Sequence, residues 1–201
     1  MTTVACIVIA TERRRALVES RVLPSVQSQG FDDVLVVGDW TLPNRNGPDW
    51  YGYIGVEPML RNTIDALVRR DVGALATTAD VLVYLCDDHA LSADFLATLR
   101  QVLDEPWDVL VPNRYCMRPT TDGARVNTPL NNGERDGYCG GHGGVFRRSV
   151  IQRRPWSAHS HTPYWDARSS YAMRLAGARF VWHPRAGIAI EDIEPGAEPW
   201  K

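Results

Sequence analysis

Long apolar runs are missing from this sequence of 201 residues. No stretch of about eighteen consecutive apolar residues occurs, so the sequence predicts no transmembrane helix. Near the amino terminus, Arg13, Arg14 and Arg15 follow the apolar stretch instead of preceding it, which is the reverse of a secretory signal. We therefore expect a cytoplasmic protein without a membrane anchor.

The sequence also has no closely spaced pair of cysteines and only one lysine. Cys6, Cys86, Cys116 and Cys139 lie far apart with no CxxC pair, so we expect free thiols rather than a zinc or redox motif. The 22 basic residues are 21 arginines and Lys201, a bias that a GC-rich genome also produces. Because the net charge is −2, a uniformly basic, nucleic-acid-coating surface is excluded, although a local basic patch remains open.

Hydrophobic side chains make up 44% of the sequence and charged ones 23%, which fits one ordinary globular domain. Short apolar, β-branched runs alternate with amphipathic stretches, and this alternation predicts an α/β domain with a mostly parallel sheet flanked by helices. We assign residues 1–192 to the domain and 193–201 to a tail. The predicted strands are Val4 to Ile9, Val34 to Val37, Val81 to Leu85, Val109 to Val111 and Phe180 to Trp182.

Helix signals lie between these runs. The first helix is expected over 13–28, with a kink or break at Pro24. The second begins near Pro58, and Arg69 and Arg70 are expected at its carboxyl end, where they suit the helix dipole. A third begins after residue 92, and a fourth covers 165–176 and ends at Gly177. Residues 112–137 carry no sustained pattern and predict a long loop.

The strongest chemical signal follows the third predicted strand, which ends in Cys86, Asp87, Asp88 and His89. Ligands of open α/β sheets bind beyond the carboxyl ends of strands, so these carboxylates are placed for a divalent cation and phosphate oxygens. The alternative is that they cap a turn.

Three other polar residues lie just after a predicted strand or in a helix that leads into the next strand. Thr11 follows the first strand, Asp39 follows the second, and Arg61 lies in the helix before the third. Asp39 is suited to hydrogen bonds from a base or ribose, whereas Arg61 is suited to neutralising a diphosphate. The placement predicts that these side chains converge on one crevice.

Several segments together resemble one known family. They are VACIVIATERRRALVESRVLPSVQSQGFDDVLVVGD, the tetrapeptide MLRN, LCDDHALSADFLATL, GGHGGVFRRSVI and YWDARSSYAMRLAGARFVWHP. In order and spacing, over roughly residues 3 to 192, they are similar to glycosyltransferases of the A fold in the family-2-like group. The resemblance implies a nucleotide-sugar-dependent enzyme with the A fold.

The resemblance also implies roles for individual residues. Thr11 and Asp39 would hold the nucleoside, and Arg61 would lie on the diphosphate side. Asp87 would contact the ribose or the sugar, and Asp88 would bind the divalent metal, Mn²⁺ or Mg²⁺. The expected donor is a UDP-sugar.

The chain departs from the family pattern at three places. Cys86 stands where the first acid of the Asp-x-Asp motif is usual. Trp165 replaces the glutamate of a Glu-Asp pair, while Asp166 keeps the position of the catalytic base; a helix cap is its alternative role. Where many relatives have a metal-binding histidine, spacing gives Ile190, and its neighbour Glu191 is a candidate substitute.

His142, inside a cluster of glycines, has two possible roles. It either contacts the donor phosphate or the acceptor, or it is incidental in a flexible hinge.

The implied reaction is direct displacement at the anomeric carbon, with Asp166 deprotonating the acceptor hydroxyl and the configuration inverting. A sugar nucleotidyltransferase or a NAD-dependent oxidoreductase is disfavoured, since no glycine-rich loop follows the first strand. A catalytically inactive nucleotide-sugar-binding relative remains open because of Cys86 and Trp165.

The acceptor has two candidate classes. A saccharide or another hydroxyl compound is the first. The second is a hydroxylated base of DNA, as in some viruses, in which case the protein would lie in the host cytoplasm. Arginine-rich segments expected beside the crevice, 112–137 and 142–161, favour a polyanionic or phosphorylated acceptor such as DNA. The saccharide stays the first choice, because genome composition also explains the arginines. They are Arg114, Arg118, Arg125, Arg135, Arg147, Arg148, Arg153 and Arg154.

Overall fold

A computed structural model describes residues 1–40, 50–56, 62–119, 125–129, 143–159, 165–182 and 189–192. Its strands are β1 (Val4–Ile9), β2 (Asp33–Gly38), β3 (Gly52–Gly55), β4 (Val81–Cys86), β5 (His89–Leu91), β6 (Val109–Val111), β7 (Asn113–Pro119), β8 (Arg125–Pro129), β9 (Gly143–Arg147), β10 (Phe180–Trp182) and β11 (Ala189–Asp192). Each predicted strand is present to within one residue at either end. The structure adds β3, β5, β7, β8, β9 and β11.

Helical segments connect the strands. They are a 3₁₀ turn (Glu12–Arg14), α1 (Arg15–Leu17), a π-helical turn (Val18–Val22), α2 (Leu23–Gln27), α3 (Asn62–Ala76), α4 (Phe95–Arg100), α5 (Arg148–Arg153), a second 3₁₀ turn (Trp156–His159) and α6 (Trp165–Leu175). Within the described ranges, none of these helices combines the length and the apolar character needed to cross a membrane.

Seven described strands form the main sheet in the order β10-β6-β9-β4-β1-β2-β3. All neighbours are parallel except β9, which runs antiparallel to both β4 and β6. A second sheet has the order β5-β11-β7-β8. The predicted α/β class, a mostly parallel sheet flanked by helices, is confirmed.

The main sheet is buried on both faces, which explains its continuous β-branched strands. On one face Val4, Cys6 and Val8 of β1 pack with the helical segment 12–27 and with α4. On the other, Ala5 and Ile7 pack among side chains of α3, α5 and α6. Adjacent residues of one strand therefore serve different cores, and the domain has three layers.

The first helical segment continues through Pro24, so of the two expected outcomes, a kink or a break, the break is wrong. Residues 12–27 stay helical throughout, and Pro24 is the second residue of α2. The π-helical turn Val18–Val22 directly precedes α2. A wider turn at this place gives room to a proline ring that would crowd a regular α-helical turn.

Two other predictions about elements are wrong. The predicted loop over 112–137 contains β7 and β8, which pair antiparallel with each other. The second helix does not end near Arg70, since α3 runs on to Ala76. Arg69 and Arg70 therefore lie in its middle and are each only 2% exposed. They cannot serve the helix terminus to which the sequence assigned them.

Candidate active site at the switch point of the sheet

The strand order places a crevice at the carboxyl ends of β1 and β4. From β1 the chain moves to β2 and β3 on one side, and it then returns to β4 on the other side of β1. Such a reversal is the usual ligand site of open α/β sheets, since the connections leave in opposite directions. Thr11 follows β1 here, and Asp87 and Asp88 follow β4.

Thr11 and Asp87 meet across this crevice. The backbone N–H and the hydroxyl of Thr11 both donate to Oδ2 of Asp87, at 3.1 and 2.6 Å. Asp87 is 6% exposed. Its carboxylate therefore fixes the loop after β1 against the end of β4, and the predicted convergence of these two residues is present.

Arg14 bridges both aspartates of the pair. Its Nη1 lies 2.9 Å from Oδ1 of Asp87 and 2.8 Å from Oδ2 of Asp88. Two adjacent carboxylates in a partly buried place repel each other, so a shared guanidinium stabilises the pair. The Arg14 side chain itself is 29% exposed and reaches the site from the solvent side.

The second oxygen of Asp88 faces His89. The Nδ1 atom of His89 contacts Oδ1 of Asp88, and the His89 side chain is 3% exposed. His89 begins β5, so its backbone is held in the second sheet, where it pairs with Asp192 of β11. Asp88 is thus held between a buried imidazole on one oxygen and a half-exposed guanidinium on the other.

Cys86 completes a cluster of potential metal ligands. Its Sγ, a carboxylate oxygen of Asp88 and a nitrogen of His89 all lie within 4.8 Å of one another. Carboxylate and imidazole groups suit Mn²⁺. Burial, however, raises the pKa of Cys86 to about 11, and its sulfur accepts a contact of 3.5 Å from Nη2 of Arg70. Asp88 and His89 thus fit a divalent metal, and the Cys86 sulfur lies beside them with its thiol pKa raised by burial.

Asp39 is held by groups from two other elements. The backbone N–H of Glu12 donates to its Oδ1 at 2.5 Å, and Nη2 of Arg69 lies 2.9 Å from its Oδ2. Arg69 also donates to the backbone oxygen of Ala10, at 2.5 Å. The end of β1, the end of β2 and the middle of α3 are therefore joined through Asp39.

Arg70 lies beneath the crevice and stacks against two rings. Its guanidinium carbon is 5.3 Å from the ring centre of Trp156 and 6.0 Å from that of Tyr84. With its contact to Cys86, this places a fixed positive charge under the end of β4.

Sequence reasoning missed the roles of Arg69 and Arg70. A usable signal was present, because Val72 and Ala74 continue the apolar pattern past both arginines and move the helix end to Ala76.

The remaining predicted site residues are described only in part. Arg61 and His142 lie outside the described residues. Asp166 is the second residue of α6, one turn before the buried Ser169 and Ser170. Glu191 lies in β11 opposite Ala90 of β5. The backbone of Glu191 is therefore next to the strand that begins with His89.

Two of the arginines expected beside the crevice, Arg147 and Arg148, lie at the other end of β4. Arg147 pairs with Val81 at the amino end of β4, whereas Asp87 follows its carboxyl end. A strand of this length separates the two ends by about 17 Å. Arg147 packs its guanidinium 4.1 Å from the ring centre of Trp107, and Arg148 donates its backbone N–H to Asp80. The expectation that they flank the site is therefore wrong.

No protein-family model matches the chain, and no curated protein matches it. Solved structures do match. One is the mannosyltransferase PcManGT from Pyrobaculum calidifontis in complex with GDP-Man and Mn²⁺, with a TM-score of 0.68 and 14% identity over 98% of this chain and 59% of that one. Another is S. aureus TarS 1-349, with a TM-score of 0.66 and 14% identity over 96% of this chain and 60% of that one.

These likenesses establish the fold. The chain has the A fold of nucleotide-sugar glycosyltransferases, as its sequence motifs predicted. It spans about three fifths of the length of the two solved structures.

Proposed function

We propose that this protein is a metal-dependent glycosyltransferase, which transfers a sugar from a nucleotide-sugar donor to an acceptor hydroxyl with inversion. The observation that carries the proposal is the meeting of Thr11, Asp87 and Asp88 at the switch point of the sheet. The fold is shared with a mannosyltransferase that was solved with GDP-Man and Mn²⁺, which supports the same class of donor and metal here.

In this proposal, residues that follow different parallel strands contact different parts of the donor. Asp39, held by Glu12 and Arg69, would accept hydrogen bonds from the nucleoside. Thr11 would also hold the nucleoside, and Asp87 would contact the ribose or the sugar. Because their partners already fix these groups, little freedom is lost when a ligand binds.

Two further residues complete the proposed donor site. Arg61 would lie against the diphosphate, and His142 would contact the donor phosphate or the acceptor. Both assignments come from the family resemblance and the sequence.

Asp88 would hold the divalent metal, with His89 in reach as a second ligand. A bound metal of this kind supplies positive charge that offsets the charge on a departing diphosphate. Cys86 in place of an acid leaves Asp88 and Asp87 as the carboxylates at the end of β4.

Asp166 would act as the general base. Its carboxylate would take the proton from the acceptor hydroxyl while the acceptor oxygen attacks the anomeric carbon and the bond to the diphosphate breaks. A base on the face opposite the leaving group gives inversion. Positioning of the acceptor contributes as much as basicity, since aligned reactants avoid the entropic cost of an encounter.

The proposed acceptor is a saccharide or another hydroxyl compound. The DNA-base alternative depended on arginines beside the crevice, and Arg147 and Arg148 lie at the other end of β4. The sugar and the nucleotide are separate questions: a UDP-sugar is the donor favoured by the family resemblance, and a GDP-sugar is the donor type of the solved mannosyltransferase.

The test is ligand-dependent stability. Thermal unfolding is measured with Mn²⁺ and GDP or UDP, alone and together, for the parent and for Asp88→Asn. A ligand at about 100 times its Kd stabilises the folded state by about 2.7 kcal/mol. We expect one nucleotide to raise the unfolding midpoint of the parent strongly only with Mn²⁺, and this synergy to vanish in Asp88→Asn.

Asp94→Asn is the matched control, because Asp94 is an exposed aspartate six residues away that caps no helix by its side chain. It should keep the full synergy. If Asp88→Asn responds to Mn²⁺ and nucleotide as the parent does, the metal assignment is wrong. Release of free sugar from UDP-sugars and GDP-sugars then separates an enzyme from an inactive binding relative.

A further inference from the structure

We propose that Arg14 is the resident counter-ion of Asp88 and competes with the divalent metal for its carboxylate. This inference rests on the proposed function, since it takes Asp88 as the metal ligand. It concerns what the protein itself places at that oxygen before a metal arrives.

The geometry identifies which oxygen is contested. Nη1 of Arg14 lies 2.8 Å from Oδ2 of Asp88, whereas Oδ1 of Asp88 contacts the imidazole of His89. The His89 side chain is 3% exposed and its backbone is paired in β5, but the Arg14 side chain is 29% exposed. Of the two partners, Arg14 is the one that can move toward solvent.

Charge supports the same assignment. Asp87 and Asp88 together carry two negative charges beside one guanidinium. A divalent cation and Arg14 on the same oxygen would repel each other, so Arg14 must release Oδ2 of Asp88 for a metal to bind there. The contact of 2.9 Å between Arg14 and Asp87 gives the guanidinium a remaining partner.

The consequence is that Arg14 lowers the affinity for metal in the absence of donor. Breaking a hydrogen bond between charged groups lowers a binding constant by about tenfold or more. Arg14 also belongs to the 3₁₀ turn that carries Glu12, whose backbone N–H holds Asp39. The side chain that must release Asp88 thus belongs to the same segment that orients the proposed nucleoside site.

The experiment measures Mn²⁺ binding directly, by isothermal titration calorimetry and by the electron paramagnetic resonance signal of free Mn²⁺, without any sugar donor. The variants are Arg14→Gln, Arg14→Lys, Arg15→Gln and Asp88→Asn. Arg15 is the matched control, because it is the next residue and pairs with Glu19 at 2.8 Å on the helix surface instead of with the site.

We expect Arg14→Gln to bind Mn²⁺ about tenfold or more tightly than the parent. Arg14→Lys keeps the charge but lacks the planar fork, so its affinity should lie between the two; it carries the test if the glutamine variant does not fold. Arg15→Gln should match the parent, and Asp88→Asn should lose the binding.

Equal or weaker Mn²⁺ affinity in both Arg14 variants, with binding still dependent on Asp88, would overturn the competition and leave the proposed function intact. If neither the parent nor any variant binds Mn²⁺, even when GDP or UDP is added, then the metal-dependent function and the role of Arg14 fall together.

Discussion

Three arginines place positive charge at the crevice and contact its acidic groups and its cysteine. Arg14 holds Asp87 and Asp88, Arg69 holds Asp39, and Arg70 lies behind Cys86. Each occupies a defined place before any ligand binds. A buried, fixed charge needs no reorganisation when charge develops on a substrate, so Arg69 and Arg70 suit the proposed anionic donor, whereas Arg14 must release Asp88 when the proposed metal binds.

Asp166 is the residue whose replacement should separate binding from chemistry. Asp166→Asn keeps the size of the side chain but removes its basicity, so we expect nucleotide binding to stay within about twofold. Transfer should fall by roughly 10²-fold or more, the usual contribution of a positioned base. Calorimetry with the nucleotide and initial rates with the donor measure the two effects.

The pH profile provides the control for this variant. The parent rate should rise with pH as the base ionises, and the residual rate of Asp166→Asn should lack that rise. Turnover equal to that of the parent would place the base on another residue.

Asp80 gives a pH-dependent contribution to stability away from the crevice. Its carboxylate accepts hydrogen bonds from the backbone N–H and the hydroxyl of Thr3, at 3.0 and 3.1 Å, which joins the starts of β1 and β4. These bonds lower the pKa of Asp80 below its ordinary value of 3.8. A lowered folded-state pKa stabilises the protein above pH 3.8, and this stabilisation is lost as the pH falls through the folded-state value.

Asp80→Asn should therefore unfold at a lower temperature than the parent at pH 6, and the difference should shrink below about pH 3.8. Thermal denaturation followed by circular dichroism at both pH values measures it. A difference that stays constant down to pH 3 would contradict the role of the ionised carboxylate.

At the scale of elements, the approach of α3 to the sheet depends on Gly73. A Cβ atom added there would lie 2.4 Å from Cγ2 of Ile7 in β1 and 3.4 Å from Cγ2 of Val37 in β2. Alanine normally favours a helix by about 1 kcal/mol over glycine. Overpacking costs about 1–3 kcal/mol, so Gly73→Ala should lower the unfolding free energy by about 1 kcal/mol despite its helix propensity.

Urea denaturation measures this change, and a double-mutant cycle with Ile7→Ala identifies its cause. Without the Ile7 methyl group, Gly73→Ala should cost little or should stabilise the protein. The same loss in both backgrounds would show that the helix is not pressed against β1 at this point.

The sequence predicted the elements of the first half well because their signals are local. Val4–Ile9 and Val81–Cys86 are uninterrupted apolar runs, and the helix after residue 92 buries Phe95, Leu96 and Leu99. The second sheet was not predicted, since β7 and β8 contain no continuous run of apolar, β-branched residues and β5 pairs with β11 across a large gap in the chain. Such strands gain their stability from partners that periodicity does not reveal.

The same distinction holds for the candidate site. Thr11, Asp39, Asp87 and Asp88 follow strands directly, so the rule on strand ends found them. Arg14 was not assigned to the site, because an arginine early in a helical segment is usually solvated. Its role depends on β1 and β4 being neighbours, which is a property of the sheet order and not of the local sequence.

At the scale of the whole molecule, the two ends of the same strands carry different groups. The proposed binding site lies at their carboxyl ends. The carboxyl ends of β1, β2 and β4 lead into Thr11, Asp39 and Asp87. At the amino ends of β1 and β4, Thr3 and Asp80 connect the strands to each other. Because the two edges of the sheet carry different groups, the formal charge of −2 for the whole sequence does not describe the charge of either edge.

The one antiparallel strand described in the main sheet, β9, also determines the order in which that sheet can be completed as the chain is synthesised. β1, β2, β3 and β4 find all of their mutual neighbours within the first part of the chain, but both neighbours of β6, which are β9 and β10, come later in the sequence. At roughly 5–20 residues per second, Val109–Val111 waits a few seconds on the ribosome before residue 143 emerges. During that interval β6 is an apolar strand whose neighbours β9 and β10 have not yet been made. Chaperones bind exposed apolar segments of this kind.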